Sequence, residues 1–492
     1  MKKIVKVISK NFQEMIGEVK RRASDKLFNT TLINVLIVLW QYSYIYLRRN
    51  YLNQEIPLWL TKYWGNFQLA PKTHIIIIPF ISIGVTAIGL ILMAFLNRYF
   101  VRYAVDVMSF VITFFNLSIS YQLIRLVKIS SSPFNPLLNP VFFDLAIPFI
   151  FSFILVRAVL PIFISFAKKR GLVTNPDVHT HPGMILKNPS ARGGGLVYAA
   201  VFVVASLLFV SINLQLLGIF IGLFLLSTLC YLDDHQSTHP GSAFRVLENP
   251  FLRLFLLVCI VLIPVFSGIV IENVSNPFGN TVYLNEWRIV PTLVTVLWIV
   301  WVMNVMSWSN GIDGQYTGIV GIASIVIALL SLRFTEPAYR GLTTMAIISA
   351  GAAFGFVKHT WYPSKVMWGF GATLAGLVIA VLSVLSQSKI TTSVLIILIP
   401  FLDALITFIR RVVQGKNPLK GDKGHLHHLL LDRGWGVQKI AVFYWVTTAM
   451  FGVLGLLLSD RYRAQAVLLA AGLVAFFIVM LNVRSYTDKK VD

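Results

Sequence analysis

Charge is the scarcest property of this sequence. Of 492 residues, 13% are Asp, Glu, Lys or Arg, against about 25% in ordinary soluble domains. That shortage argues against a soluble enzyme and against a disordered chain. Acidic residues are rarest, 20 against 42 Lys and Arg, giving a formal net charge of +22. Cysteine is nearly absent. Cys230 and Cys259 both lie in apolar stretches, which argues against a disulfide framework or a zinc site. The basic excess has no soluble domain to sit on, so no nucleic-acid partner is expected. It fits loops facing anionic lipid and an anionic substrate. What remains is apolar: 57% of residues are hydrophobic and the mean hydropathy is +0.75. The chain reads as an integral membrane protein.

A helical span needs about 20 mostly apolar residues. Fourteen runs qualify, near 31–47, 75–96, 105–127, 143–166, 194–212, 214–232, 251–271, 289–306, 316–333, 341–357, 367–386, 390–408, 440–458 and 464–483. They are continuous and do not alternate, so a β-barrel is disfavoured. The expected fold is an all-α, polytopic transmembrane helical bundle. Lys and Arg set its orientation. The basic residues of 1–30, Lys168-Lys169-Arg170 and the basic loop 409–439 fall on one side, taken as cytoplasmic, with both termini. Arg48 and Arg49 are exceptions. Within residues 4–19, Ile4, Ile8, Phe12, Met15 and Val19 recur at helical spacing between lysines and polar residues. That pattern suggests an interfacial helix and not a cleavable signal peptide. The polar stretch 128–140, with Pro133, Pro136 and Pro140, is the best internal boundary. The expected organisation is a basic N-terminus over 1–30, a three-span extension over 31–135, a core over 140–484 and a tail over 485–492.

Five polar segments gather on the cytoplasmic side. Lys187 and Arg192 flank a run ending in Gly193-Gly194-Gly195 before a span. Glycines there let backbone N–H groups approach a phosphate at a helix N-terminus, or simply make a turn. Asp233-Asp234-His235 closes another span. Adjacent carboxylates at a membrane edge are costly unless paired, wet or bound to a cation; a divalent ion or a proton-transfer role would justify them. Asn304 and Ser307 share a helix face, followed by Asn310, Gly311, Asp313 and Gly314, which also make a helix cap and turn. Pro363 to Thr373 is a glycine-bearing helix start that reads alone as packing. Asp403, Arg410, Arg411, Lys416, Lys420, Asp422, Lys423, His425, His427 and His428 form the richest segment. Helical spacing lets His425 and His428 share a face, whereas the neighbours His427 and His428 cannot. Arg and His donors suit a diphosphate; a basic, lipid-facing loop is the plainer alternative. Together the segments suggest phosphoryl transfer to a membrane-bound lipid. A transporter would place its ionisable groups near the bilayer midplane, and here nearly all lie at helix ends.

In this order the segments resemble the polyprenyl-phosphate N-acetylhexosamine-1-phosphate transferases, glycosyltransferase family 4, over about residues 143–484. Pro189-Ser190-Ala191-Arg192-Gly193-Gly194-Gly195 is similar to the family's Pro-x-Pro-Arg-x-Gly-Gly, with Ala191 for a proline. Asp233-Asp234 matches its acid pair. Asn304 to Gly314 resembles Asn-x-x-Asn-x-x-Asp-Gly-x-Asp-Gly, with Ser307 and Asn310 substituted. Pro400, Asp403, Arg410, Arg411, Pro418, Asp422, His425, His427 and His428 resemble the family's most specific run.

The resemblance implies transfer of a sugar-1-phosphate, N-acetylhexosamine-1-phosphate in the family, from a UDP-sugar to undecaprenyl or a similar polyprenyl phosphate. UMP is released and a peptidoglycan, O-antigen or teichoic-acid type of glycan begins. It implies a bacterial plasma membrane location, Mg²⁺ (or Mn²⁺) as cofactor and a possible homodimer. Asp233 is expected to be the base, with Asp234 and Asp313 orienting metal and phosphates; an aspartate nucleophile is the alternative. Asp233, Asp234 and Asp313 are the expected metal ligands. Lys187, Arg192, Asn304, Asn310, Asp403, Arg410, Arg411, His425, His427 and His428 are the expected substrate contacts. One position departs. Where the family has a principal metal-ligand aspartate, this chain has Phe370, or Gly369 after a one-residue shift. Either the remaining acids hold the ion with water, or the ion sits differently on the substrate diphosphate, or the protein is a non-catalytic scaffold that binds lipid or nucleotide.

Overall fold

The structure, a computed structural model, describes residues 27, 29–58, 69–98, 102–131, 140–175, 189–239, 242–274, 276, 281–332, 337–386, 390–417, 424–458 and 460–488. The expected interfacial helix over 4–19 lies outside them. The described chain is an all-α, polytopic membrane protein. Three two-stranded ribbons are its sheets, among them β3 (Val173–Thr174) paired antiparallel with β4 (Ser190–Ala191). Among the described residues nine helices are long and apolar enough to cross a membrane, and four shorter apolar helices accompany them.

The chain divides into two units, Met1–Leu138 and Asn139–Asp492. The first contains α1 (Asn29–Arg48), α2 (Ile77–Arg98) and α3 (Arg102–Ser130). Its centre is polar. Asn116 donates to Asn34 Oδ1 at 2.8 Å and to Thr86 Oγ1 at 2.7 Å. Gln41 donates to Ser82 at 3.0 Å and to Ser120 at 2.8 Å. Side-chain bonds of this kind hold helices together where lipid offers no hydrophobic drive between them.

The second unit contains α4 (Pro140–Lys169), α5 (Gly194–Phe209), α6 (Leu214–Thr238), α7 (Pro250–Phe266), α8 (Val290–Trp308), α9 (Gln315–Ser331), α10 (Pro337–Thr360), α11 (Ala372–Leu385), α12 (Ile390–Ile396), α13 (Leu398–Val413), α14 (Leu426–Asp432), α15 (Val437–Leu457) and α16 (Asp460–Asp488). Local chemistry sets several starts. Asn213 caps α6 by accepting from Leu216 N, and Asn249 caps α7 ahead of Pro250. Helices α9 and α11 are buried on nearly every face. The outer helices instead expose large apolar side chains such as Phe224, Phe255 and Leu297, a surface suited to lipid. The apolar run read as one span over 390–408 is two helices, α12 and α13, interrupted at Ile397. Pro400 explains the break, because a proline ring clashes with the carbonyl four residues earlier, here that of Ile396.

Candidate active site

The C-terminal turn of α6 carries Asp233 and Asp234, both buried. Each carboxylate has its own guanidinium. Arg192 Nε lies 2.6 Å from Asp234 Oδ1. Arg253 Nη1 lies 3.1 Å from Asp233 Oδ1, which also accepts from Gln236 at 3.2 Å. The arginines lie outside the acids: their side chains are 26% and 29% exposed, those of Asp234 and Asp233 2% and 4%.

A segment between α10 and α11 forms the floor. Residues 365–368 run beside 191–195. Ala191 N donates to Lys365 O, Met367 N to Ala191 O and Gly194 N to Met367 O, at 3.2, 2.7 and 2.9 Å. Ribbon β3–β4 leads directly into Arg192, whose own N–H donates to Leu172 O at 2.9 Å. Trp368 pins the floor in place. Its Nε1 donates to Thr317 Oγ1 at 3.0 Å, and its ring stacks on Phe356 with centroids 4.7 Å apart. The segment ends on the acid pair, where Phe370 N donates to Asp234 Oδ1 at 3.0 Å. Gly369 has φ +65°, and a Cβ there would lie 2.3 Å from Asp234 Oδ2. Both facts call for glycine. The guanidinium of Arg253 lies 5.5 Å above the centroid of the Phe370 ring.

Asp313 meets the other end of the same segment. Its Oδ2 accepts from Ser364 N at 2.9 Å. Burial pushes the Asp313 carboxyl above the usual carboxylate range, and hydrogen bonds from Ser364 oppose the shift. Trp445 Nε1 of α15 fixes this loop by donating to Gly314 O at 3.1 Å. On the loop's far side, a Cβ on Gly311 would lie 2.1 Å from His427 Nε2, so the loop backbone packs against that imidazole.

The histidines are arranged by Asp403. Its Oδ1 accepts from Leu426 N at 2.7 Å and its Oδ2 contacts His425 Nδ1 at 3.0 Å. Asp403 is buried and holds the start of α14. His425 precedes that helix in an extended conformation, so helical spacing does not govern it. It stacks on His427, with centroids 5.6 Å apart and planes 3° from parallel. His425 thus meets His427 through an extended residue ahead of the helix and not through helical spacing. Burial, followed by the charges of His428 and His425, pushes His427 well below the usual histidine range.

The expected site residues thus divide. Contacts bring Arg192, Asp233 and Asp234 together, and the floor segment links them to Asp313. The 311–314 loop links Asp313 to His427 and, through the His425–His427 stack, to His425. His428 packs beside His427 with centroids 4.3 Å apart. Arg410 donates to Asn482 Oδ1 at 2.7 Å and to Gly424 O at 3.3 Å. Arg411 is buried at the end of α13, Asn310 is half-buried, and Asn304 donates back to Val300 O at 2.8 Å. Lys187, Pro418 and Asp422 lie outside the described residues. Sequence reading passed over Arg253. Its signal was a lone cation in the first turn of an apolar helix, where the helix dipole disfavours it.

The donors do not fit the metal centre that the resemblance implies. Asp234 Oδ2 is buried without a hydrogen-bond partner and could contribute one ligand. Asp233 and Asp234 each hold a guanidinium, however, so the two negative charges face two positive ones. Position 370 supplies a ring where a carboxylate is expected. Among the described residues no group of three His, Cys, Asp or Glu side chains is placed to hold an ion. Mg²⁺ takes six oxygens in near-octahedral geometry, usually one or two carboxylates with the rest from water and substrate phosphates, and here both adjacent carboxylates already carry a guanidinium.

Comparison with known proteins places this geometry. Residues 216–387 match the profile of glycosyl transferase family 4, a stretch that includes Asp233, Asp234, Arg253, Asp313 and Phe370. The decaprenyl-phosphate N-acetylglucosaminephosphotransferase of Mycolicibacterium smegmatis is 26% identical over 242 residues, 44% of this chain and 60% of that protein. The protein so named in Mycobacterium tuberculosis (strain CDC 1551 / Oshkosh) is 26% identical over 208 residues, 37% of this chain and 52% of its own length. The chain therefore spans between half and two thirds of these relatives. A phospho-N-acetylmuramoyl-pentapeptide-transferase of Caldicellulosiruptor bescii is 25% identical over 320 residues, 64% of this chain and 97% of that protein. These matches support the resemblance of residues 216–387 to glycosyl transferase family 4.

Proposed function

We propose that this protein transfers a sugar-1-phosphate from a UDP-sugar to a polyprenyl phosphate, at the cytoplasmic face of a bacterial plasma membrane. The observation that carries this is the buried Asp233–Asp234 pair, covered by Arg192 and Arg253 at the end of a membrane helix. Acids beneath guanidinium groups suit a reaction that joins two phosphates and moves a proton. The name of the Mycolicibacterium smegmatis relative supports the same class of acceptor, and that of the Caldicellulosiruptor bescii relative supports transfer of a phosphorylated N-acetyl sugar.

In the proposed reaction an oxygen of the lipid phosphate attacks the β-phosphorus of the UDP-sugar. A new phosphorus–oxygen bond forms, and the bond from the β-phosphorus to the bridging oxygen breaks. UMP leaves with that oxygen. Asp233 takes the proton of the lipid phosphate, which raises its nucleophilicity. Arg192 and Arg253 hold the phosphates, as planar forks do well. Asp313 borders the same floor, the His425–His427 stack lies against the loop that carries Asp313, and both orient the nucleotide side. The lipid tail stays among the helices, so only its phosphate must reach the acids.

The test is UMP release by the purified protein given polyprenyl phosphate and a panel of UDP-N-acetylhexosamines. Release that depends on lipid and is lost in Asp233→Asn supports the transferase. A second reading, a scaffold that keeps nucleotide or lipid binding, is favoured by Phe370 alone. UDP-sugar binding with no release from any donor would select it.

A further inference from the structure

We propose that Arg253, poised between Asp233 and the Phe370 ring, is the cation that receives the substrate diphosphate, so that protein guanidinium neutralises this anion in place of a divalent ion. The proposal rests on the transferase reading for its substrate, and on three observations for its geometry.

The first is depth. The guanidinium groups are partly exposed and the carboxylates are not. A phosphate approaching this site meets Arg253 and Arg192 before either acid. A divalent cation would have to pass both positive charges to reach Asp233 or Asp234. The second is charge balance. Two acids and two arginines sum to zero, so the buried pair has no net charge left to attract an ion of charge +2, whereas a guanidinium can exchange one anion for another. The third is the seat of Arg253. Phe370 cannot ligate an ion, but its ring face attracts a cation, and the Arg253 guanidinium lies over it at 5.5 Å. Phe370 is itself fixed. Its N–H donates to Asp234 Oδ1, and its carbonyl accepts from Thr373 Oγ1 at 2.8 Å. Phe370 is thus a positioning residue and Arg253 a substrate-binding one.

The arrangement couples binding to proton transfer. When a diphosphate oxygen takes the Arg253 fork, Asp233 loses the partner 3.1 Å away that stabilises its ionised form. With that fork engaged elsewhere, Asp233 Oδ1 is open to the proton of the lipid phosphate. No oxidant or further co-reactant is needed, and the proton ends on Asp233.

Two measurements on the full-length protein in detergent test this. Mn²⁺ alone is titrated and followed by electron paramagnetic resonance, which requires no activity. The wild type is expected to show no sub-millimolar site, and Phe370→Asp is expected to gain one. UMP release is then measured in excess EDTA. The wild type is expected to keep its rate, Arg253→Gln to lose about 100-fold, a loss typical of removing one anion-stabilising donor, and Arg253→Lys to fall between. Phe370→Leu should raise KM for the UDP-sugar without creating an Mn²⁺ site, and Phe370→Tyr should restore KM. A tight Mn²⁺ site in the wild type, or release abolished by EDTA and restored by Mg²⁺, overturns the proposal. Should no donor yield UMP, the transferase reading fails by itself. UDP affinity then decides the role of Arg253: weaker binding by Arg253→Gln supports it, and unchanged binding overturns it.

Discussion

Arg192 Nε donates to Asp234 Oδ1 across 2.6 Å, joining the approach to α5 to the last turns of α6. The acid is buried and the base is partly exposed. Removing one partner of a buried pair leaves the other charge uncompensated, at a cost of roughly 3–5 kcal/mol, here near or below the lower bound because Arg192 retains some solvent. Arg192→Gln should therefore lower the thermal midpoint and abolish transfer. Asp234→Asn, which keeps the shape without the charge, should unfold less readily yet remain inactive. Thermal unfolding followed beside UMP release checks both.

Close backbone approach sets a second expectation. A Cβ on Gly195 would lie 2.2 Å from Gly371 O, and backbone cannot swing aside as a flexible side chain can. Gly195→Ala should destabilise by about 1–3 kcal/mol, the range of overpacking substitutions, and should displace the floor under Asp234. Gly472→Ala has open space around the new methyl group and should change little. Denaturation midpoints of the two variants provide the comparison.

His427 gives the protein a stability limit on the acid side. Its folded pKa is depressed far below the ordinary value of 6.5. Above that value the folded and unfolded forms are both neutral. As the pH falls below it, the unfolded chain binds a proton that the folded chain refuses, so stability is lost until the depressed folded value is reached. The thermal midpoint should fall between pH 7.5 and pH 5.5, values on the order of one unit either side of an ordinary histidine pKa. His427→Gln should flatten that dependence. An equal slope in the variant would assign it to other groups.

Asp313 behaves in the opposite sense. Its pKa is raised from 3.8 by burial, so between 3.8 and the raised value the folded state keeps a proton that the unfolded state has released. Its contribution to stability declines as the pH rises through that window. Removing the charge should therefore cost no stability at neutral or alkaline pH, and Asp313→Asn should melt no lower than the wild type at pH 8, a condition on the order of several units above an ordinary carboxylate pKa. If the ionised carboxylate orients substrate, activity should fade on acidification earlier than an ordinary carboxylate would dictate. Asp313→Asn should be impaired at every pH. A pH–rate profile beside a melting curve separates these effects.

Much of the fold was legible because the membrane imposes a length and a composition on each span. The apolar runs over 31–47, 75–96 and 440–458 correspond to α1, α2 and α15. The break at Ile397 was written in Pro400, but an unbroken apolar run conceals it. At the site, Asp233, Asp234 and Asp313 were conspicuous as acids beside apolar helices. Their partners were less so. Arg253 follows Asp233 by twenty positions and begins another helix, so no local pattern links them. The stacking of His425 on His427 depends on Asp403 holding an extended residue ahead of α14, which sequence spacing alone does not reveal. The floor segment, read alone as a helix start, is where backbone N–H groups of Ser364 and Phe370 meet two of the three acids.

The most direct test of the central claim is the lipid product itself. Purified protein is incubated with polyprenyl phosphate and a UDP-N-acetylhexosamine, and lipid and nucleotide products are quantified by mass spectrometry. A polyprenyl-diphosphate sugar formed in equal amount to UMP, and absent with Asp233→Asn, is the predicted result. Release of UMP without that lipid, or equal product from Asp233→Asn, would contradict a transferase built on the Asp233–Asp234 pair.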